Sequence, residues 1–294
     1  TGGSRMSWEG VTQRRVATNG IELNIAEAGE GPLVLLLHGF PESWYSWRHQ
    51  FDPVAKAGYH VVAPDMRGYG KSDKPHEIEA YNQVEVRKDI IGLIGALGYD
   101  KAIVIGHDWG APTAWACALH HADKVRAVGA LSVPFMPRSP VQPMPAMREM
   151  FKGQFFYQLY FFEPGVAEAE FEADIRTALK KFLVMAGGET DLTTLPAKGP
   201  EDDMFTGLPN PKTLPAWLSE EDLDFYTGEF ERIGDARPAQ LLPQSRPCLE
   251  ADRRRARPYR PAGLLYRRSQ GWRDHDGCRG LSGHADLCAG PSDQ

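Results

Sequence analysis

Ala102-Ile103-Val104-Ile105-Gly106-His107-Asp108-Trp109-Gly110-Ala111 is the stretch on which the reading of this 294-residue chain turns. Its first four residues are apolar and partly β-branched, which suits a short buried strand. Gly106 and Gly110 then flank a central residue with small neighbours, and Ala111 opens a segment of helical character. Small residues at those spacings allow a sharp strand-to-helix turn, the nucleophile elbow, which presents the central side chain at the C-terminal edge of a sheet. The central residue here is Asp108. An ordinary strand-to-helix turn with an aspartate near the helix N-terminus is the plainer alternative.

Working outward, the pattern alternates strand and helix. Gly20 to Ala28, Leu33 to Leu37, Tyr59 to Ala63, Ala102 to Ile105 and Val125 to Val133 read as strands. Gln83 to Leu97 carries apolar residues at helical spacing (Val86, Ile90, Leu93, Ile94, Leu97) and stops at Gly98, while Ala111 to His120 reads as a second helix. Such alternation predicts an α/β protein, a mostly parallel sheet with flanking helices. After Val133 the pattern changes. Pro134, Pro137, Pro140, Pro143 and Pro145 make a stiff linker, and the aromatic-rich stretch beyond it reads as a helical cap inserted after the sixth strand. Three regions are therefore expected: a core over residues 1–133, a cap over 134–236, and an atypical tail over 237–294.

The aspartate selects a chemistry. A serine that opened an epoxide or displaced a halide would form an ether, which water does not readily cleave. A carboxylate forms an ester, whose hydrolysis regenerates the enzyme. His38-Gly39-Phe40-Pro41 directly follows the strand Leu33 to Leu37, where a backbone N–H of an oxyanion hole would arise, with the residue after the nucleophile supplying another. Phe40 and Trp109 are the expected donors; a simple Gly-Pro turn is the alternative. His38, Gly39, Pro41, Trp44 and His107 are assigned to the substrate pocket. Asp65 to Asp73 follows the next strand and reads as a structured loop with glycines at strained positions, without a catalytic part.

Bulk properties narrow the classes. A net charge of −6 disfavours nucleic acid and anionic membrane surfaces as partners, and 42% hydrophobic with 24% charged residues is ordinary for a globular chain. The longest apolar run, Leu33 to Leu37, is far short of the ~20 residues of a membrane span. The N-terminus lacks the apolar core of a signal peptide, and Met6 can serve as the native start. Cys117 is alone in the first 236 residues, which suits a reducing cytoplasm. No H-E-x-x-H or Cys/His cluster is present, so no metal and no cofactor is expected.

Four segments carry a specific resemblance: Gly39 to Gln50 (GFPESWYSWRHQ), Ala63 to Gly70 (APDMRGYG), Gly106 to Ala111 (GHDWGA) and Trp217 to Phe230 (WLSEEDLDFYTGEF). Together, over roughly residues 15–235, the chain resembles soluble epoxide hydrolases of plant and bacterial type, which have the α/β-hydrolase fold. The resemblance implies a small-molecule epoxide and water as partners, attack by Asp108 to give an ester, and release of a vicinal diol. It also implies two cap tyrosines that protonate or polarise the epoxide oxygen. The stretch YQLYFFEPG points to Tyr157 as one of them; a core tyrosine among Phe155, Phe156, Tyr160 and Phe161 is the alternative. Haloalkane dehalogenases share the aspartate elbow, but tend to carry a halide-binding asparagine where Phe40 stands.

The resemblance further implies a histidine base, an acid to orient it and a second cap tyrosine, all after residue 236. They are not recognisable there. Arg237 to Gln294 contains 11 Arg and no Lys, with no Ile, Val, Phe, Met, Thr or Asn. Gln240 to Pro243 (QLLP) is what one set of codons for N-Y-Y-R can give one base out of register, and Pro261 to Arg273 can encode a family-like strand in the same shifted frame. The tail is therefore expected to be a frameshifted translation, with the last core strands missing or scrambled. Asp274, His275 and His284 lack the context of the family's acid and base. A catalytically dead relative is thus the third reading, beside hydrolase and dehalogenase.

Overall fold

The computed structural model describes residues 10–137, 143–188, 190–232 and 265–267. A seven-stranded sheet runs in the order β1-β2-β4-β3-β5-β6-β7. Its strands are β1 (Thr12–Thr18), β2 (Ile21–Ala28), β3 (Leu33–Leu37), β4 (His60–Pro64), β5 (Ala102–His107), β6 (Val125–Leu131) and β7 (Leu265–Arg267). β1 and β2 form an antiparallel hairpin, β2 meets β4 antiparallel, and the remaining neighbours are parallel. The central strands are those read from the sequence, and every residue of β3 is buried. Such an all-apolar run is what a strand covered by helices on both faces requires.

The structure adds two strands to those read from sequence. β1 alternates weakly, with five of its seven side chains exposed, so little periodicity betrays it. Its signal is the turn: Asn19 (φ 45°) and Gly20 (φ 77°) form the two-residue hairpin connection that favours positive φ. Gly20 is therefore turn, and β2 begins at Ile21. The second addition corrects the expectation for the tail: Leu265–Arg267 pairs in parallel with Gly129, Ala130 and Leu131 of β6. Ladder pairing uses main-chain N–H and C=O groups that any sequence carries, and the outer edge of β6 offers a row of them. Composition alone does not exclude so short a strand. The rest of the 237–294 region lies outside the described residues.

Two helices flank the centre of the sheet: α2 (Gln83–Ala96), capped by the Asn82 side chain on the N–H groups of Val84 and Glu85, and α3 (Gly110–His120). α1 (Phe51–Lys56) precedes β4. α2 puts Val86, Ile90, Leu93 and Ile94 into the core, the spacing seen in its sequence. It is fixed to the sheet by Arg67 and Asp89, a buried pair bonded at 2.7 and 2.6 Å.

After β6 come α4 (Pro143–Met150), α5 (Tyr157–Phe161), α6 (Val166–Ala173), α7 (Ile175–Ala186) and α8 (Glu220–Glu231). These helices meet the core through aromatic side chains. Phe40, from the loop after β3, lies edge-on to Phe161, Phe171, Phe182 and Phe230 at centroid distances of 5.1 to 6.0 Å. Beside it, Phe225 of α8 stacks on Tyr45 at 4.0 Å, the Tyr45 hydroxyl donates to Asp222 at 2.8 Å, and Arg48 reaches the same carboxylate at 3.1 Å. Burial of several large rings supplies most of the adhesion, and the polar bonds fix orientation. No helix among the described residues is long and apolar enough to cross a membrane.

Candidate active site

The turn between β5 and α3 is tight because its residues are small. A Cβ on Gly106 would run into the Gly110 carbonyl, and one on Gly110 would strike the Leu37 carbonyl of β3. Between them Asp108 adopts φ 49°, a left-handed conformation that costs an ordinary residue of the order of 1 kcal/mol and signals a constrained site. Its N–H points back to the Leu131 carbonyl of β6 at 3.3 Å, and its C=O accepts from Ala111 N–H at 3.0 Å, starting α3.

The loop after β3 comes to meet this side chain. Phe40 N–H donates to Asp108 Oδ1 at 2.9 Å, and a Cβ on Gly39 would collide with the same carboxylate. Only glycine lets the loop approach so closely. Burial raises the Asp108 carboxyl above the ordinary aspartate value, opposed by the N–H groups of Phe40 and Trp109. The group thus pairs a desolvated charge with two aimed donors, an arrangement frequent at functional sites.

Asp108 opens on a small cavity lined by Phe40, Asp108, Trp109, Tyr157, Gln158, Phe161, Phe162 and Phe182. Five of these eight are aromatic rings from the cap helices or the loop after β3, and the polar groups are few. That is the composition of a site for an apolar small molecule held by a few directional contacts. Tyr157, at the start of α5, is 45% exposed; its hydroxyl accepts from Gln158 Nε2 at 3.2 Å. Phe40, the neighbours Asp108 and Trp109, and Tyr157 come from three separate stretches of the sequence and are thereby brought to one cavity.

The other residues assigned to the pocket stand behind its wall. His38 is buried; its Nε2 accepts from Met66 N–H at 2.9 Å and its Nδ1 lies 2.9 Å from the Gly39 carbonyl. Burial lowers its imidazole below the ordinary histidine value, so it serves as a neutral brace for the loop. Trp44 packs between Tyr45, Phe51 and Phe225. Pro41 is buried and follows Phe40 through a cis peptide. His107 Nδ1 lies 3.0 Å from Glu42 Oε2, and the same oxygen accepts Gly39 N–H at 2.9 Å. Burial alone would lower His107, but the hydrogen bond and charge of Glu42 outweigh it and raise the imidazole above its usual value.

Several lining residues escaped the sequence reading. Phe161, Phe162 and Phe182 look like core aromatics, and only the packing shows which of them reach the cavity. Gln158 lies inside the YQLYFFEPG stretch but carries no signal of its own that it lines the cavity. The tail in which a histidine, an acid and a second tyrosine are expected lies, apart from Leu265–Arg267, outside the described residues.

Comparisons with known proteins show the family. Residues 32–252 match the alpha/beta hydrolase fold family. The chain is 49% identical over 228 residues to epoxide hydrolase A of Mycobacterium tuberculosis, covering 76% of this chain and 70% of that protein. It is 42% identical over 228 residues to epoxide hydrolase 2 of Siraitia grosvenorii, covering 77% and 70%. Among solved structures, epoxide hydrolase A from Mycobacterium thermoresistibile superposes with a TM-score of 0.75 at 44% identity, over 79% of this chain and 74% of that one. An epoxide hydrolase from an endophytic Streptomyces gives 0.76 at 43%, over 80% and 72%. With its Asp108 elbow, aromatic cavity and extended identity to such relatives, this chain belongs to the epoxide hydrolases of the α/β-hydrolase fold.

Proposed function

We propose that Asp108 opens the ring of a small epoxide by backside attack on carbon, and that hydrolysis of the resulting ester releases a vicinal diol. The observation that carries this reading is the Asp108 carboxylate, held through Oδ1 by Phe40 N–H at 2.9 Å inside an aromatic cavity that it shares with Tyr157. The bond to Oδ1 suggests a division of labour. Oδ2 attacks and becomes the ester oxygen, while Oδ1 stays as the carbonyl. When water adds to that carbonyl, charge grows on Oδ1, where Phe40 and Trp109 N–H groups stabilise it. Tyr157 gives its phenolic proton to the ring oxygen as the C–O bond breaks, and the proton released on ester hydrolysis restores the phenol. On this reading residues 1–133 form the hydrolase core and 134–236 the cap that closes the cavity. The partners are an epoxide and water, and the cytoplasm is the working location suggested by cysteine usage.

The test is intact-mass analysis after mixing the protein with styrene oxide, alongside chromatography for the diol. A mass increment of one epoxide on Asp108 together with diol supports the full reaction. Neither product from any epoxide, with chloride release from a chloroalkane, would favour the dehalogenase reading instead.

A second reading has its own observation. Among the described residues the histidines nearest Asp108 are both engaged, His38 with Met66 N–H and His107 with Glu42. If Arg237–Gln294 is an out-of-frame translation, as its abrupt loss of Ile, Val, Phe and Lys suggests, the base that activates water is missing. The ester would then form and persist, with rates down by orders of magnitude. Ester accumulation without diol is the expected signature. Resequencing the coding DNA from codon 230 onward decides the origin of the tail: an inserted or deleted base near codons 233–237 supports the frameshift, and a clean read removes it.

A further inference from the structure

Tyr157 and Gln158 are consecutive in the first turn of α5, where neighbouring side chains do not ordinarily face each other. Here they do. Gln158 Nε2 donates to the Tyr157 hydroxyl at 3.2 Å, and both residues line the cavity that holds Asp108. Among the described residues this amide is the sole hydrogen-bond partner of the phenol. The ring is held from behind: Tyr157 lies edge-on to Phe156 at 5.2 Å, and Phe156 stacks on Phe151 at 3.8 Å.

A phenol has one hydrogen to give and lone pairs to receive. An amide N–H that fills a lone pair leaves the phenolic hydrogen free for another acceptor, and polarises the O–H so that it donates more strongly. When the hydrogen leaves, the same N–H faces the oxygen on which negative charge grows, and a bond to a charged acceptor is stronger than a bond to a neutral one. The contact therefore gains strength as the reaction proceeds, the condition for accelerating a step rather than merely binding its substrate.

We infer that Gln158 is a positioning residue for ring opening, acting through Tyr157; this rests on the reading of Asp108 and Tyr157 given above. In the step concerned, Asp108 Oδ2 forms a bond to an epoxide carbon and the ring C–O bond breaks with its electron pair on oxygen. That oxygen takes the Tyr157 proton, and the phenolate left behind is held by the Gln158 amide. The proton returns when water cleaves the ester.

The experiment follows ester formation on the full chain by rapid quench and intact mass, with styrene oxide as probe, so that only the first half of the reaction is read. Gln158→Leu is expected to lower the limiting rate of ester formation by about five- to tenfold, the scale of one hydrogen bond, with the half-saturating epoxide concentration unchanged. Gln158→Glu, close in shape, is expected to slow it further, because a carboxylate would draw the phenolic hydrogen to itself. In a Tyr157→Phe background, Gln158→Leu should have no further effect, whereas a merely structural role would subtract the same factor again. The inference is overturned if Gln158→Leu changes half-saturation alone, costs the same in both backgrounds, or speeds the reaction, the last meaning that the amide oxygen faces the phenol. If Tyr157→Phe is slow while Gln158→Leu matches the parent, this inference alone is lost. If Tyr157→Phe is as fast as the parent, or no ester forms at all, the reading beneath it fails as well.

Discussion

The turns after β4 and β5 each carry an aspartate at the same edge of the sheet, and the two carboxylates have opposite surroundings. Asp65 is 0% exposed. Its Oδ1 accepts Trp44 N–H at 3.1 Å, and its Oδ2 accepts the Asn24 amide at 2.8 Å and Lys71 N–H at 3.2 Å. Every donor comes from a different loop or strand, so the carboxylate ties them together. Asp108 is half-buried, has Phe40 and Trp109 N–H as its neighbours, and opens on the cavity. The same functional group is spent on structure in one turn and held ready in the other. What distinguishes them is the setting: donors from three segments surround the buried Asp65 carboxylate and make it a strut, whereas Asp108 borders a cavity, as the proposed nucleophile requires.

The comparison can be broken by substitution. The largest effect belongs to Asp108→Asn, which should lower ester formation by at least about a thousandfold while leaving the melting temperature within about 2 °C. Intact mass after epoxide treatment checks the first, differential scanning fluorimetry the second. Because burial raises the Asp108 carboxyl and attack needs the carboxylate, the acid limb of ester formation in the parent should lie above the ordinary aspartate range. Asp65→Ala should do the reverse. It leaves Trp44 N–H, Asn24 and Lys71 N–H without their acceptor and should cost about 3 kcal/mol in urea unfolding. An Asp65→Ala protein as stable as the parent would remove the distinction between the two turns.

Glu229 of α8 sharpens the contrast. It is 3% exposed, its Oε1 pairs with Arg232 at 3.0 Å, and among the described residues Oε2 has no hydrogen-bond partner. A Cβ on Gly70 would strike both Glu229 Oε2 and Asp65 Oδ2, so the two carboxylates face each other. Burial first, and the Asp65 charge second, raise the Glu229 carboxyl above its ordinary value. A folded-state value above the unfolded one means that the stabilising contribution is present at low pH and is lost as pH rises through the folded value. Glu229→Gln should therefore raise stability near neutral pH by about 1 kcal/mol, the scale of one relieved buried polar atom, and the gain should vanish in acid. Thermal melts across pH read this directly; a gain independent of pH would count against it. The smallest effect is expected from Tyr45→Phe, which removes one hydrogen bond to Asp222 at the core-to-cap joint and should cost about 0.5–1 kcal/mol.

Much of this molecule is legible in its sequence. The centre of the sheet, α2 with its stop at Gly98, and the elbow at Asp108 all follow from patterns within a dozen residues. The edges are not. β1 has five exposed side chains, so its alternation is too weak to see, and β7 pairs through main-chain groups that leave no mark on composition. In the site, Asp108, Tyr157, Phe40 and Trp109 were singled out by motif and do line one cavity. His38, Trp44 and His107 sit in the same motifs but point into the wall, because neighbours in a loop turn to different sides and a motif does not say which.

By itself, then, the sequence determined the central strands with helices α2 and α3, the sharp turn that holds Asp108, and the choice of a carboxylate over a hydroxyl. These depend on side-chain periodicity, on the size of adjacent residues and on bond chemistry, all of which are local. The tertiary structure alone decided that Phe40 N–H would find Asp108 across 68 positions, that Tyr157 would share its cavity, and that Asp65 would be a strut. Those outcomes depend on which donors distant segments bring within hydrogen-bonding distance of a given oxygen, and that is a property of the packed chain.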